Sequence, residues 1–449
     1  WLALNPRRKA AGRRQLPSWR FLGSALLSLA GENTTSFCQF LVFQPLSRGI
    51  RGRVTMGKGG KQAVESDSDD IIHLDYRDFR CWGAEKFARY VNSLLLGRRN
   101  VDLHTFRLHW DPHIPLKCSN VRSWIRYAVK HKVKVLDMEL RMYDKTDLPP
   151  GIFTCRSLQE LNLQWGEAPY QDIEHKGLVP PDIIRLPSLK KLTLRDVEVS
   201  EFPLSSFIDR SPGLEELHLI DSATCLKRIS SEVLKMLTLD GSMYGVENLV
   251  ISAPHLISFK CTGCQLKDIS WRKKPSLERA HIHTCGRTFG GESRFTEVLV
   301  HAKELALSGF DIKVMLEKEL PTCSAFQNLT TLELGKWDLT KDLYAVLRFL
   351  QLSPKLEELT LMHRPPRVEA ETDVVPTDGM TFQCPSLGSV TIQCPEGDDG
   401  ADKLVQVLVA HGVSADKISV TSYEDIKKKA HADEIRAEAE RTKKKPRMV

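Results

Sequence analysis

The chain has no run near the ~20 consecutive apolar residues that a membrane-spanning helix needs. Its longest candidate, Phe21 to Ala30, is half that length. No membrane partner is therefore expected. Catalytic signatures are missing as well. There is no nucleophile elbow, no metalloprotease helix, no kinase signature and no dinucleotide loop. Gly57-Lys58-Gly59-Gly60-Lys61-Gln62 puts Gln where a phosphate-binding loop needs Ser or Thr. The expectation is a protein that is not an enzyme, with no catalytic residue, no resident metal and no cofactor.

Acidic residues are nearly missing from residues 1–55, which hold nine Lys/Arg and only Glu32 on the other side. That segment contributes +8 of formal charge, so the +7 of the whole chain leaves 7 − 8 = −1 for residues 56–449. A near-neutral body lacks the electrostatic footprint of nucleic-acid binding, and no nucleic-acid partner is expected. Methionine is missing before Met56. The Arg-rich start has the composition of an organelle transit peptide. A gene-model extension ahead of a true start at Met56 is the favoured alternative, because targeting segments begin at an initiator Met. Glu65 to Asp70 reads as an acidic linker. A dense disulfide framework is also missing. The 11 cysteines are odd in number and scattered from Cys38 to Cys394, which suits reduced thiols in the nucleus or cytoplasm.

What the chain does have is self-similarity. Leu158/Leu161/Leu163, Leu189/Leu192/Leu194, Leu214/Leu217/Leu219, Leu234/Leu237/Leu239, Leu329/Leu332/Leu334 and Leu356/Leu359/Leu361 all read L-x-x-L-x-L. Six weaker copies, starting at Leu103, Val133, Leu256, Leu277, Ala302 and Leu387, fit with other apolar residues. Successive first positions are 30, 25, 31, 25, 20, 22, 21, 25, 27, 27 and 31 residues apart. Most of these intervals fall within the leucine-rich-repeat period of about 20–29 residues. The last two apolar positions are two apart, so in a strand they share one face. One such strand cannot bury that face alone, whereas a stack of them makes a continuous apolar column. The expected fold is an α/β leucine-rich-repeat solenoid, a curved parallel sheet with short helices or irregular turns on its convex side. Val121 to Lys130 and Asp342 to Gln351 have the helical spacing of such returns.

Residues two, four and six places after the first leucine should face outward on the concave side, the default binding face. There Lys260, Arg279, His281 and His283 form a basic stripe, and Trp271, Arg272, Lys273 and Lys274 follow nearby in sequence. These four are the candidate partner-binding residues, suited to an acidic or phosphorylated peptide. Cys261, Cys264, His281, His283 and Cys285 also resemble a zinc set. The repeat register accounts for them more simply, with Cys261 at the third apolar position and Cys264 and Cys285 three places later, where the consensus takes Asn or Cys.

With these features in place, the chain resembles the plant F-box/leucine-rich-repeat proteins with a C-terminal FBD-type region, over about residues 70–425. Phe87 to Arg98 resembles the helix that follows the F-box. Ser353 to Leu361 resembles the core of the FBD region, and Asp402 to Val420, helix then strand, its end. The resemblance implies the substrate-recognition part of an SCF-type ubiquitin ligase, with repeats that capture a protein substrate. A Skp-type adaptor would be a partner only if an F-box lies upstream. In residues 1–69 only Leu16-Pro17-Ser18-Trp19-Arg20 echoes the F-box pattern, with its two halves touching and no helices between. A repeat-only scaffold is therefore the alternative. The expected organisation is 1–69 as extension and linker, 70–340 as repeats, 341–425 as the FBD-like region and 426–449 as a charged tail.

Overall fold

The computed structural model describes residues 70–75, 79, 82–98, 100–110, 116–140, 148–165, 178, 181, 183–197, 201–222, 224, 226–241, 248–264, 266, 268–284, 295–340, 343–365 and 384–443. All lie in the unit spanning Ile50–Val449. The readings placed on residues 1–69, and Cys285, fall outside the described residues.

The strands are β1 (Ile71–Asp75), β2 (Thr105–His109), β3 (Val135–Leu140), β4 (Glu160–Trp165), β5 (Lys191–Arg195), β6 (Glu216–Ile220), β7 (Arg228–Ser230), β8 (Met236–Asp240), β9 (Asn248–Ser252), β10 (Ser258–Cys264), β11 (Asp268–Lys273), β12 (Arg279–Thr284), β13 (Glu304–Ser308), β14 (Thr331–Trp337), β15 (Glu358–His363), β16 (Ser389–Cys394) and β17 (Ile418–Ser422). The helices are α1 (Ala84–Gly97), α2 (Cys118–Lys130), α3 (Glu201–Asp209), α4 (Thr296–Leu299), α5 (Phe310–Glu319), α6 (Leu343–Leu352), α7 (Gly400–Ala410) and α8 (Tyr423–Lys443).

Fourteen strands form one sheet in the order β1-β2-β3-β4-β5-β6-β8-β10-β12-β13-β14-β15-β16-β17. Its neighbours pair in parallel, as each repeat laid on the last requires. The twelve repeats supply every strand from β2 to β16 in this sheet, and their apolar positions pair in register. Leu161 meets Leu192, Leu192 meets Leu217, and Leu217 meets Leu237. The eight leucines expected to be buried, Leu161, Leu163, Leu192, Leu194, Leu217, Leu219, Leu359 and Leu361, are each at most 1% exposed. Alternate positions on β5 and β6 stay half-buried on the other side, so the period-2 pattern and the burial agree. β14 pairs with β15 across residue 340 as its neighbours do, and the sheet shows no seam there.

Most of the described returns are helical. α2 covers the Val121 to Lys130 stretch, and α6 covers the described part of the other, from Leu343. The three shortest returns differ. They hold β7, β9 and β11, which pair in parallel as a second, three-stranded sheet. The reason is length. Returning along a five-residue strand means covering about 16 Å. An extended segment does so in about five residues, and a helix, rising 1.5 Å per residue, needs about eleven. Repeats spaced 20, 22 and 21 residues apart have no room for the helix. Ile229, Leu249, Ile251 and Ile269 on this second sheet are fully buried against the first.

The first end of the stack is closed by aromatic rings. Phe87 on α1 stacks on Trp110 at 4.0 Å between centroids, and Trp124 on α2 donates its indole N–H to Asn92 Oδ1 at 2.7 Å. Such a cap covers the apolar column that a first repeat would otherwise leave wet. At the other end His363, 2% exposed, ties several segments together. Its Nδ1 accepts the Leu339 N–H at 3.2 Å, its Nε2 lies 3.1 Å from Asp398 Oδ2, and its carbonyl accepts the Tyr423 hydroxyl at 2.9 Å. Burial pushes the Tyr423 phenol up to about 12. Gly400 is required here, because a Cβ at that position would run into the His363 ring.

Burial also holds the imidazoles of His73, His218, His281, His283 and His363 below their ordinary value of 6.5. Each takes up a proton more readily when unfolded. Their stabilising effect is therefore complete above about pH 6.5 and is lost as the pH falls from there. His109, raised by its hydrogen bond to Asp137, works in the opposite sense. Five groups against one predict a thermal midpoint that drops between pH 7 and pH 5, measurable by scanning calorimetry. His363→Gln should flatten that slope, because the charged ring would bring a second donor against the Leu339 N–H.

Candidate partner-binding face

The side of the fourteen-stranded sheet away from the apolar column is its open face. Every outward position expected from β4 to β12 is half-buried or exposed. Polar groups on this face are linked from strand to strand. Arg107 Nε meets Asp137 Oδ2 at 2.7 Å, Asn162 donates to Asp137 Oδ1 at 2.7 Å, and Lys191 Nζ lies 3.0 Å from Glu216 Oε2. His218 reaches Thr238 Oγ1 at 2.9 Å. Burial raises the Glu216 carboxyl, but the hydrogen bonds from Lys191 and His218 outweigh that and hold it below the usual range.

The structure brings the four candidate residues together. β10 pairs with β12 so that Ser258 faces Arg279, Lys260 faces His281, and Thr262 faces His283. Their charge state differs from the sequence expectation. Lys260 Nζ is held by Asp240 Oδ2 at 2.7 Å, and Thr262 donates to the other oxygen of the same carboxylate. His283 Nδ1 lies 3.0 Å from Ser308 Oγ. Burial, with Lys260 and Lys336 close by, keeps His281 below 6.5, and burial with Lys336 does the same for His283. At neutral pH the stripe thus offers Arg279, a Lys260 shared with Asp240, and two neutral imidazoles.

Two further cations join them. Lys336 and Arg364 both act on His283. Neither lies on an expected outward position: Lys336 sits in a bulge of β14 between Gly335 and Trp337, and Arg364 follows the end of β15. Gly335 and Lys336 have φ of 138° and 65°, and the Lys336 side chain turns outward. A glycine late in a strand is the signal that could have found this, since it marks a bulge that re-aims the following side chain.

Trp271, Arg272, Lys273 and Lys274 do not belong to this site. Trp271 to Lys273 are on β11 in the second sheet, and the Trp271 ring packs edge-on against the core ring of Phe259 at 5.4 Å. Closeness in sequence misplaces them, because the chain crosses the core between β10 and β11. The zinc-like set is likewise split. Cys261 and Cys264 are 1% exposed within the core, while His281 and His283 flank buried Ile282 on the opposite face. The Cys264 thiol instead approaches the Leu239 carbonyl at 3.6 Å, and its hydrogen bond with Cys261, together with burial, pushes the Cys261 thiol well up.

Residues 95–384 match the family model for the leucine-rich-repeat domain of the At1g61320/AtMIF1 type, well over half of the 449 residues. The chain belongs to that family. This At1g61320/AtMIF1-type repeat domain is also similar to curated proteins of Arabidopsis thaliana. The F-box/FBD/LRR-repeat protein At1g78750 is 23% identical over 88% of this chain and 89% of its own length. The FBD-associated F-box protein At5g56380 is 30% identical over 42% of this chain and 45% of its own. The F-box/LRR-repeat protein At4g14103 is 25% identical over 48% and 56%. No solved structure matches the chain significantly. Among the described residues of this family member, no helix is long and apolar enough to cross a membrane.

Proposed function

We propose that the open face around β10, β12 and β14 holds a protein partner bearing acidic or phosphorylated side chains, and that the chain is the substrate-recognition part of an SCF-type ubiquitin ligase receptor. The observation that carries the first half is the convergence of Lys260, Arg279 and Lys336 around His281 and His283. An anion seated there gains charge-assisted contacts, with Arg279 able to grip it in a fork. The F-box names of the relatives support the second half. The role is binding without catalysis, in the nucleus or cytoplasm, with neither nucleic acid nor membrane as partner.

The test is the triple replacement Lys260→Glu, Arg279→Glu and His281→Glu, with affinity measured against the partner recovered by pull-down. Affinity should fall at least tenfold at moderate salt, and unchanged affinity in a folded variant removes the site. An anionic partner also raises the lowered His281 and His283, so binding takes up protons and should tighten as the pH falls below about 6.5. The second reading is a repeat-only scaffold with no ligase recruitment. Co-purification of the gene product with a Skp-type adaptor supports the receptor, and its failure supports the scaffold.

A further inference from the structure

A different part of the open face carries chemistry that a binding surface does not need. On β1 and β2 the outward positions are His73, Asp75, Arg107 and His109, and the register sets His73 beside Arg107 and Asp75 beside His109. Among the described residues, His73, Asp75 and His109 are the one group whose nitrogen and carboxylate donor atoms all lie within 4.8 Å of one another. The spacing follows from the fold. Neighbouring strands are about 4.8 Å apart, so residues facing each other across them bring side-chain tips to one point. The two imidazole rings stand edge to face with centroids 6.0 Å apart.

We propose that His73, Asp75 and His109 bind one divalent first-row transition ion of the zinc kind, on a site separate from the partner-binding stripe. Two imidazoles and a carboxylate are the donor set such ions favour, whereas calcium and magnesium take oxygen cages. In tetrahedral geometry, bonds of about 2.0–2.2 Å place donors roughly 3.3–3.6 Å apart. The donor atoms, within 4.8 Å of one another, would draw closer by side-chain rotation to hold an ion. All three side chains are half-buried, so they are accessible to an ion yet held by the sheet.

The surroundings are arranged as a metal site needs. His109 Nε2 lies 3.2 Å from Asp137 Oδ2, close enough to give that carboxylate its N–H when Nδ1 holds an ion. A ligating histidine commonly gives its second N–H to a carboxylate in this way, which fixes the ring and strengthens the donor. Asp137 is itself held by Arg107 Nε at 2.7 Å. Glu139 Oε2 lies 3.7 Å from His109 Nδ1, beside the three-residue group and outside it. The fixed charges around the rings are Asp75, Asp137 and Glu139 against Arg107, a local excess of two negative charges. A dication neutralises that excess.

The probe is the ion alone. The full chain, purified metal-free and with its thiols reduced, would be titrated with Zn2+ by calorimetry and with Co2+ by visible absorption. The expected result is a first equivalent whose cobalt spectrum has no thiolate charge-transfer band and which raises the thermal midpoint. His73→Ala and His109→Ala should each remove that equivalent, while His281→Ala keeps it. Asp137→Asn, nearly isosteric and not a ligand, should weaken it about 10–100-fold. A merely structural ion-pair cluster gives a different pattern, in which Asp137→Asn lowers stability and leaves metal affinity unchanged. That result overturns the proposal. So does a first equivalent that survives both His→Ala variants, or one that shows the thiolate band and so belongs to the cysteines.

Discussion

Leu217→Ala is expected to lower the unfolding free energy by about 2–5 kcal/mol, read as a shift in the denaturant midpoint. Leu217 is fully buried on β6, and the register places it between Leu192 and Leu237. Truncating it removes apolar contacts and leaves a void that both neighbours line, so the cost is transfer plus cavity. A stacked repeat touches mainly its two neighbours, and the loss should therefore be local in space. Amide exchange in β5, β6 and β8 should accelerate before that in β15 and β16. Thr193→Ala, on the outward face of the adjacent strand, is the matched control and should change stability by about 0.5 kcal/mol or less. Equal effects from the two variants would mean that the column is not packed.

Gly335→Ala should cost on the order of 3 kcal/mol and weaken partner binding at the same time. Two features act together. Gly335 has φ of 138°, which only glycine adopts freely, and a Cβ built there overlaps the backbone of Met362 on the paired strand. Relief requires β14 and β15 to separate at their bulge. That motion would carry Lys336 away from His281 and His283, because the same bulge turns its side chain outward. Denaturant unfolding and anion affinity measured on one variant check both parts. Lys336→Ala separates them, since it should weaken binding and leave stability nearly unchanged.

The column of the fold was legible because its signal is spacing, and spacing survives weak copies. Phe106, Cys261 and Ala280 are poor matches to leucine, yet each occupies its expected buried place. β1 was not legible. Ile72 and Leu74 take the last two apolar positions, but Asp69 stands where the first leucine belongs. With β1 unseen, His73 and Asp75 could not be joined to His109, which lies more than thirty residues further on. The second sheet was missed for a different reason. Short segments such as Arg228–Ser230 carry too few residues to show a period, and only the length of their repeats betrays them. In the candidate stripe, sequence supplied the positions and not the charges. Lys260 reads as a free cation until pairing across the sheet puts Asp240 beside it, and Lys336 hides because a bulge breaks the two-residue alternation that finds its neighbours.

Away from the bulges of β10 and β14, the parallel pairing of the repeat strands turns the open face into a ruled grid. Steps across strands measure about 4.8 Å, and steps between outward residues along a strand about 6.7 Å. The varied repeat lengths, 20 to 31 residues from one first position to the next, leave the grid largely unaltered because the differences are absorbed in the returns on the far side. An insertion or deletion in a return therefore changes the back of the molecule and keeps every address on the front. A paired substitution on the front, such as exchanging the side chains of His281 and Ala306 across β12 and β13, moves a chemical group by one grid step, about the width of one carboxylate or phosphate. Recognition can thus be rewritten one square at a time on a frame whose packing never registers the change.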